Sequence, residues 1–130
     1  MREAEFLKEE DFSSLVPKIE QFAKDTSTPF YQHTHEVSLS LMESKYLTVV
    51  GKKDGEIVAY LCGFSLNKYE FMIQQTYSED PKLTIIMGDF LIGHLKPLGT
   101  NKLFILFKHN PRAAERHGFR IERYAMVREI

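Results

Sequence analysis

A mixed α/β (α+β) architecture, a mostly antiparallel central sheet flanked by about four helices, is what these 130 residues predict. Three observations carry that prediction. Two β-rich runs, Tyr46 to Val50 and Ile57 to Phe64, are joined through Lys53-Asp54-Gly55-Glu56, and Asp-Gly marks a tight hairpin because both central residues of a type I′ turn take positive φ. Asp80-Pro81 reads as an N-cap followed by proline at the first helical position. Leu103 to Phe107 is a continuous apolar run of strand length beyond that helix, as expected of a strand covered on both faces.

In chain order, a first short strand falls around Glu5 to Leu7. Asp11 is then a plausible N-cap for an amphipathic helix with Phe12, Leu15, Val16, Ile19, Phe22 and Ala23 on one face. Pro17 sits early in it, where a missing N–H costs least, so either a loose beginning to the helix or a turn of 3₁₀ before it is expected. Thr26-Ser27-Thr28-Pro29 ends the helix, and a second one spans about His35 to Ser44, offering Val37, Leu41 and Met42 to the core. After the hairpin, a third antiparallel strand from about Tyr69 to Tyr77 alternates Phe71, Ile73, Gln75 and Tyr77 with Met72, Gln74 and Thr76. The helix opened by Asp80-Pro81 runs to about His94 or Lys96 and is mostly buried, carrying Leu83, Ile86, Met87, Phe90, Leu91 and Leu95, with Gly88 and Gly93 packing tightly on the sheet. With the Leu103 to Phe107 strand it forms a parallel crossover. A short helix from about Pro111 to Arg116, closed by Gly118, and an alternating tail from Phe119 to Ile130 supply a last helix and strand.

The length suits one domain, residues 1–130, with a single core. A hydrophobic share of 43% against 27% charged residues is a globular balance. The formal net charge is −1 and the 17 basic residues are dispersed, so no nucleic-acid footprint is present. Arg112, Arg116, Arg120, Arg123 and Arg128 are interleaved with Glu115, Glu122 and Glu129, which reads as ion pairing. No apolar run reaches the length of a membrane span, and the single Cys62 permits no intrachain disulfide, so cytoplasm is the expected compartment. His33 and His35 could share one side of an extended segment, but no carboxylate or thiol pattern completes a ligand set, and no metal is expected. Cys62 within Tyr60-Leu61-Cys62-Gly63-Phe64 reads as buried packing, and Gly63 as a bulge or close approach.

The order β1-α1-α2-β2-β3-β4-α3-β5-α4-β6 resembles the GCN5-related N-acetyltransferase (GNAT) superfamily over essentially the whole chain. Gly51-Lys52-Lys53-Asp54-Gly55-Glu56-Ile57-Val58-Ala59-Tyr60-Leu61 resembles the family's second-to-third strand hairpin. Asn110 through Gly118-Phe119 resembles the segment after the fifth strand, and Met126-Val127-Arg128-Glu129-Ile130 its typical ending. The resemblance implies a cleft between the fourth and fifth strands for acyl-CoA, its pyrophosphate resting on N–H groups at the start of the third helix. The family's loop there reads Gln or Arg, two residues, Gly, one residue, Gly or Ala; this chain has Ser78-Glu79-Asp80-Pro81-Lys82-Leu83-Thr84. Both glycines are missing, Pro81 has no N–H, and Glu79 and Asp80 put negative charge where an anion would sit. Lys82 and Thr84 partly compensate.

If acyl-CoA binds, the resemblance implies contacts from Gln75, Thr76, Tyr77, Lys82, Thr84 and Asn110, the last of which could equally cap the following helix. The tyrosine that often serves the family as general acid falls at Ala114, leaving Tyr77 as a candidate acid and Glu70 as a candidate base. Two readings follow. One is a protein of this fold with an eroded acyl-CoA site that works by binding a protein partner or a second copy of itself; compact proteins of this kind are similar to ones encoded by tailed bacteriophages, which implies a virion-associated or host-directed version. The other is an acyl-CoA-dependent N-acetyltransferase, with acetyl-CoA as cosubstrate, in which a primary amine attacks the thioester carbonyl while a backbone N–H near Gln75 or Thr76 polarises it.

Overall fold

The computed structural model describes residues 1–105, 115, 116, 118–120 and 128. Among these residues five strands, β1 (Arg2–Phe6), β2 (Tyr46–Lys53), β3 (Glu56–Asn67), β4 (Glu70–Ser78) and β5 (Lys102–Ile105), form one sheet in that spatial order. The first four are antiparallel to their neighbours, and β5 runs parallel to β4. Helices α1 (Phe12–Thr26) and α2 (Phe30–Leu39) cover one face, and α3 (Pro81–Leu95) covers the other.

Each face is closed by a row of side chains spaced four apart. On α1, Leu15 and Ile19 meet Val50, Tyr60 and Cys62 of the sheet, with Ala23 buried one turn further on; on α3, Leu83, Met87, Leu91 and Leu95 meet Val49, Leu61, Phe71 and Ile73. Burying each of the larger side chains contributes about 1.5–3 kcal/mol. The Asp54-Gly55 turn has φ of 52° and 86°, the left-handed pair that the sequence predicted. A 3₁₀ turn at Glu9–Asp11 precedes α1, and Asp11 does not cap it with its side chain but reaches Lys52, 3.4 Å away.

The structure departs from expectation at several other points, the first strand among them, which spans Arg2–Phe6 and not Glu5 to Leu7. Helix α2 begins at Phe30, directly after an extended Pro29, and ends at Leu39; Met42 is therefore exposed in the turn that follows. Strand β5 is only half-buried in its described residues. Gly88 and Gly93 do not pack on the sheet, because nothing lies within 4 Å of where their Cβ atoms would be. The alternation in β4 breaks: Cys62 pairs with Gln75 and Gly63 with Ile73, so Gln74 is an extra residue. This bulge leaves Phe71 and Ile73 on the α3 face and turns Gln75 and Tyr77 to the α1/α2 face. Most of the last helix and strand expected from the sequence lies outside the described residues. Among those described, Gly118 is left-handed, at φ 87°, and its N–H meets the Glu115 carbonyl at 3.1 Å.

Glycine substitutions of opposite sign test this packing. A Cβ on Gly63 would lie 2.2 Å from the Met72 carbonyl oxygen and 2.6 Å from the Phe71 ring, so Gly63→Ala is expected to destabilise by about 3 kcal/mol or more. Gly88→Ala, in an open helical position, is expected to stabilise by about 0.5–1 kcal/mol. Urea denaturation midpoints moving in the same direction for both would show the packing to be misassigned.

Candidate functional site

The C-terminal half of β4 runs into the N-terminus of α3, and there the chain spends its own hydrogen-bonding groups. Asp80 is extended, at φ −132° and ψ 109°, and its Oδ1 accepts from the Lys82 N–H at 3.1 Å. The Leu83 N–H donates to the Asp80 carbonyl at 3.0 Å, and the Glu79 N–H to the Val58 carbonyl at 3.0 Å. Ser78 Oγ takes the Asp80 N–H at 3.1 Å, and Pro81 has none to give. From Glu79 to Leu83 every backbone donor is therefore already engaged. The other carboxylate oxygen of Asp80 lies 2.5 Å from Arg2 Nε and 4.0 Å from Lys53 Nζ. The hydrogen bond from Arg2 holds the Asp80 carboxyl below its ordinary value near 3.8. A helix N-terminus attracts an anion, and the anion here is Asp80 itself, 7% exposed.

Beside this point Lys18 of α1 pairs with Glu79 at 2.7 Å, and the Tyr77 hydroxyl lies 3.3 Å from the same carboxylate. Burial and then the charge of Glu79 push the Tyr77 phenol up, so it is protonated at neutral pH with its proton directed to Glu79. The bulge takes the Gln75 side chain away from the strand edge and into the core. Its Oε1 accepts from the buried Tyr60 hydroxyl at 2.9 Å, and its Nε2 donates to Glu36 at 3.0 Å and to the His33 carbonyl at 3.2 Å. Both polar ends of the amide are thus satisfied, and the group ties β3, β4 and α2 together. Burial raises the Tyr60 phenol as well.

The other sequence-predicted residues scatter. Glu70 opens β4 and accepts from Asn67 Nδ2 at 2.8 Å, seven residues and about 23 Å along the strand from Tyr77, so the two do not converge. Thr76 is exposed and pairs with Leu61; Lys82 is exposed, and Thr84 half-buried in α3. Asn110 and Ala114 lie outside the described residues. His33 and His35 are on helix α2, not an extended segment, and two residues of helix turn them about 200° apart. No group of three or more His, Cys, Asp or Glu converges among the described residues. Cys62 is buried, bonded to Thr48 and pushed up to about 12 by burial, the state of a packing residue and not of a thiolate nucleophile.

Sequence reasoning missed Arg2 and Lys53. They face each other across β1 and β2, and two cations so paired call for a carboxylate, which a first strand placed at Arg2–Phe6 would have revealed. Glu36 had no such signal, since its partner Gln75 is 39 positions away and faces it only because of the bulge.

Among the described residues, pairing between β4 and β5 runs from Glu70↔Lys102 to Ile73↔Ile105. That parallel pair around α3, set on an antiparallel meander, is the GNAT fold. No protein-family model matches the chain, and no curated protein matches it in sequence. Solved structures match it in fold. The chain is similar to ribosomal-protein-alanine N-acetyltransferase from Brucella melitensis biovar Abortus 2308 (TM-score 0.78, 11% identity, 100% of each chain). It is also similar to a predicted acetyltransferase with acetyl-CoA from Clostridium acetobutylicum (TM-score 0.76, 14% identity, 99% of this chain and 96% of that one). A transcriptional regulator from Bacillus halodurans C-125 has the same fold (TM-score 0.78, 13% identity, 100% of each chain). At such identities the likeness is one of fold, which does not by itself set the chemistry.

His33 offers a measurable pH response. Its Nε2 lies 2.6 Å from Thr28 Oγ1, the Phe22 ring meets it edge-on at 5.1 Å, and its buried Nδ1 has no hydrogen-bond partner among the described residues. Burial depresses its folded pKa below the ordinary 6.5, against a smaller opposing effect of Glu36. The folded state thus binds this proton less readily than the unfolded one, so the stability it contributes is present above pH 6.5 and is lost as pH falls below it. Urea denaturation at pH 7.5 and 5.5 is expected to show a smaller loss on acidification for His33→Gln than for the parent chain; equal losses would remove His33 as the cause.

Proposed function

We propose that this chain is a non-catalytic binding or assembly module built on the GNAT fold, in which Asp80 stands where acyl-CoA pyrophosphate sits in enzymes of this fold. The observation that carries the reading is the absence of an unengaged backbone donor from Glu79 through Leu83, with Asp80 held between Lys82 N–H and Arg2. A pyrophosphate arriving there would meet two carboxylates and no N–H to receive it. Tyr77, held on Glu79, and Gln75, locked on Tyr60 and Glu36, serve structure in this reading. A phage-encoded, virion-associated setting is one version of it, and a protein partner its general form.

The N-acetyltransferase reading draws on a different observation, the parallel β4–β5 pair around α3 within a GNAT fold. There an amine attacking the thioester carbonyl, with expulsion of the CoA thiolate, would rely on a backbone N–H near Gln75 or Thr76 to polarise that carbonyl.

Isothermal titration with acetyl-CoA, and with an analogue lacking the pyrophosphate-bearing portion, separates the two. The binding-module reading expects no heat at about millimolar ligand. Pyrophosphate-dependent binding at about micromolar ligand would overturn it. Asp80→Gly frees the Lys82 N–H and leaves Arg2 and Lys53 without their carboxylate, so this variant is expected to gain about tenfold or more in affinity for CoA.

A further inference from the structure

The end of the sheet away from the α3 N-terminus carries two adjoining hollows of about 520 and 320 Å³ that share Leu95 and Thr100. Lys96 and Lys102 line the first, Lys45 and Lys68 the second, and no described lining residue of either is acidic. In a chain of formal net charge −1 this is a local excess of positive charge. The Lys45 ammonium is held 5.6 Å from the centre of the Phe64 ring and that of Lys68 4.9 Å from Tyr69. Among the described residues, no carboxylate lies within 4.0 Å of Lys45, Lys68 or Lys96. Beside them Leu98 and Tyr69 are 66% and 50% exposed, apolar surface within a basic rim.

We propose that this face docks an acidic peptide segment of a protein partner, its carboxylates meeting Lys45, Lys68 and Lys96 and an apolar side chain covering Leu98. The rim residues are exposed and the hollows open to solvent, which suits an extended segment laid across both better than a small ligand that needs enclosure. Glu43 is next to Ser44 of the second hollow, and Glu70 accepts from Asn67 at its edge. A continuous phosphate backbone would run against these two carboxylates, whereas a peptide can space its charges to avoid them. The inference rests on the lysine arrangement and not on the α3 N-terminus, so a chain found to bind CoA would leave it standing.

Fluorescence anisotropy with a labelled Glu- and Leu-containing peptide tests it on the full chain. Saturable binding is expected, weakening as salt rises from about 50 to about 200 mM. Lys45→Gln with Lys68→Gln, and separately Lys96→Gln, should weaken it, the double variant by about tenfold, while Lys8→Gln with Lys24→Gln, the same charge change elsewhere, should leave it within about twofold. Equal loss in both double variants would reduce the effect to net charge and overturn the site. Tighter binding of a duplex oligonucleotide to the same lysines would overturn the choice of partner.

Discussion

The close approach at Gly63 is the constraint on which the rest of the arrangement depends. Only a residue without a Cβ admits the Met72 carbonyl and the Phe71 ring so near to β3, and that approach goes with the extra residue Gln74 on β4. Before the bulge, β4 serves the apolar face under α3; after it, the same strand supplies Gln75 and Tyr77 to the face under α1 and α2. One backbone irregularity thus lets a strand change allegiance between two cores without leaving the sheet.

Downstream, the same strand delivers Asp80 to the start of α3. Arg2 and Lys53 sit opposite each other on β1 and β2, an arrangement of like charges that is unfavourable alone and becomes favourable with a carboxylate between them. The carboxylate simultaneously caps the helix. In the binding-module reading proposed above, this side chain takes the place a ligand would hold, in a contact that joins the first strand, the hairpin and the third helix.

Much of this was legible in the sequence, for physical reasons. The Asp54-Gly55 turn, the Asp80-Pro81 helix start and the four-residue spacing of the apolar positions in α1 and α3 are local signals, and the structure keeps them. The start of α2 was not legible, because Phe30, Tyr31 and the polar residues after them carry little periodicity until Val37 is buried. Strict alternation predicted one face for Phe71 to Tyr77, and the bulge defeated it; the glycine that permits the bulge and its partner strand were visible, but the register between them was not. Of the site, the missing glycines and acidic residues could be read directly. The identity of the cation that neutralises Asp80 could not, since it lies 78 positions away.

The two tight connections within the β2–β3–β4 meander also bear on how the chain reaches this state. Each of these pairings closes a loop of a few residues, whereas β1 must wait for β2 across both intervening helices, and β5 for β4 across α3. Loop closure costs more as the closed segment lengthens, so the meander has the cheaper route to order and the outer strands add to an existing edge. The bulge lies inside that early unit. A strand divided between two faces within that unit offers α3 an apolar surface on one side and α1 and α2 another on the opposite side.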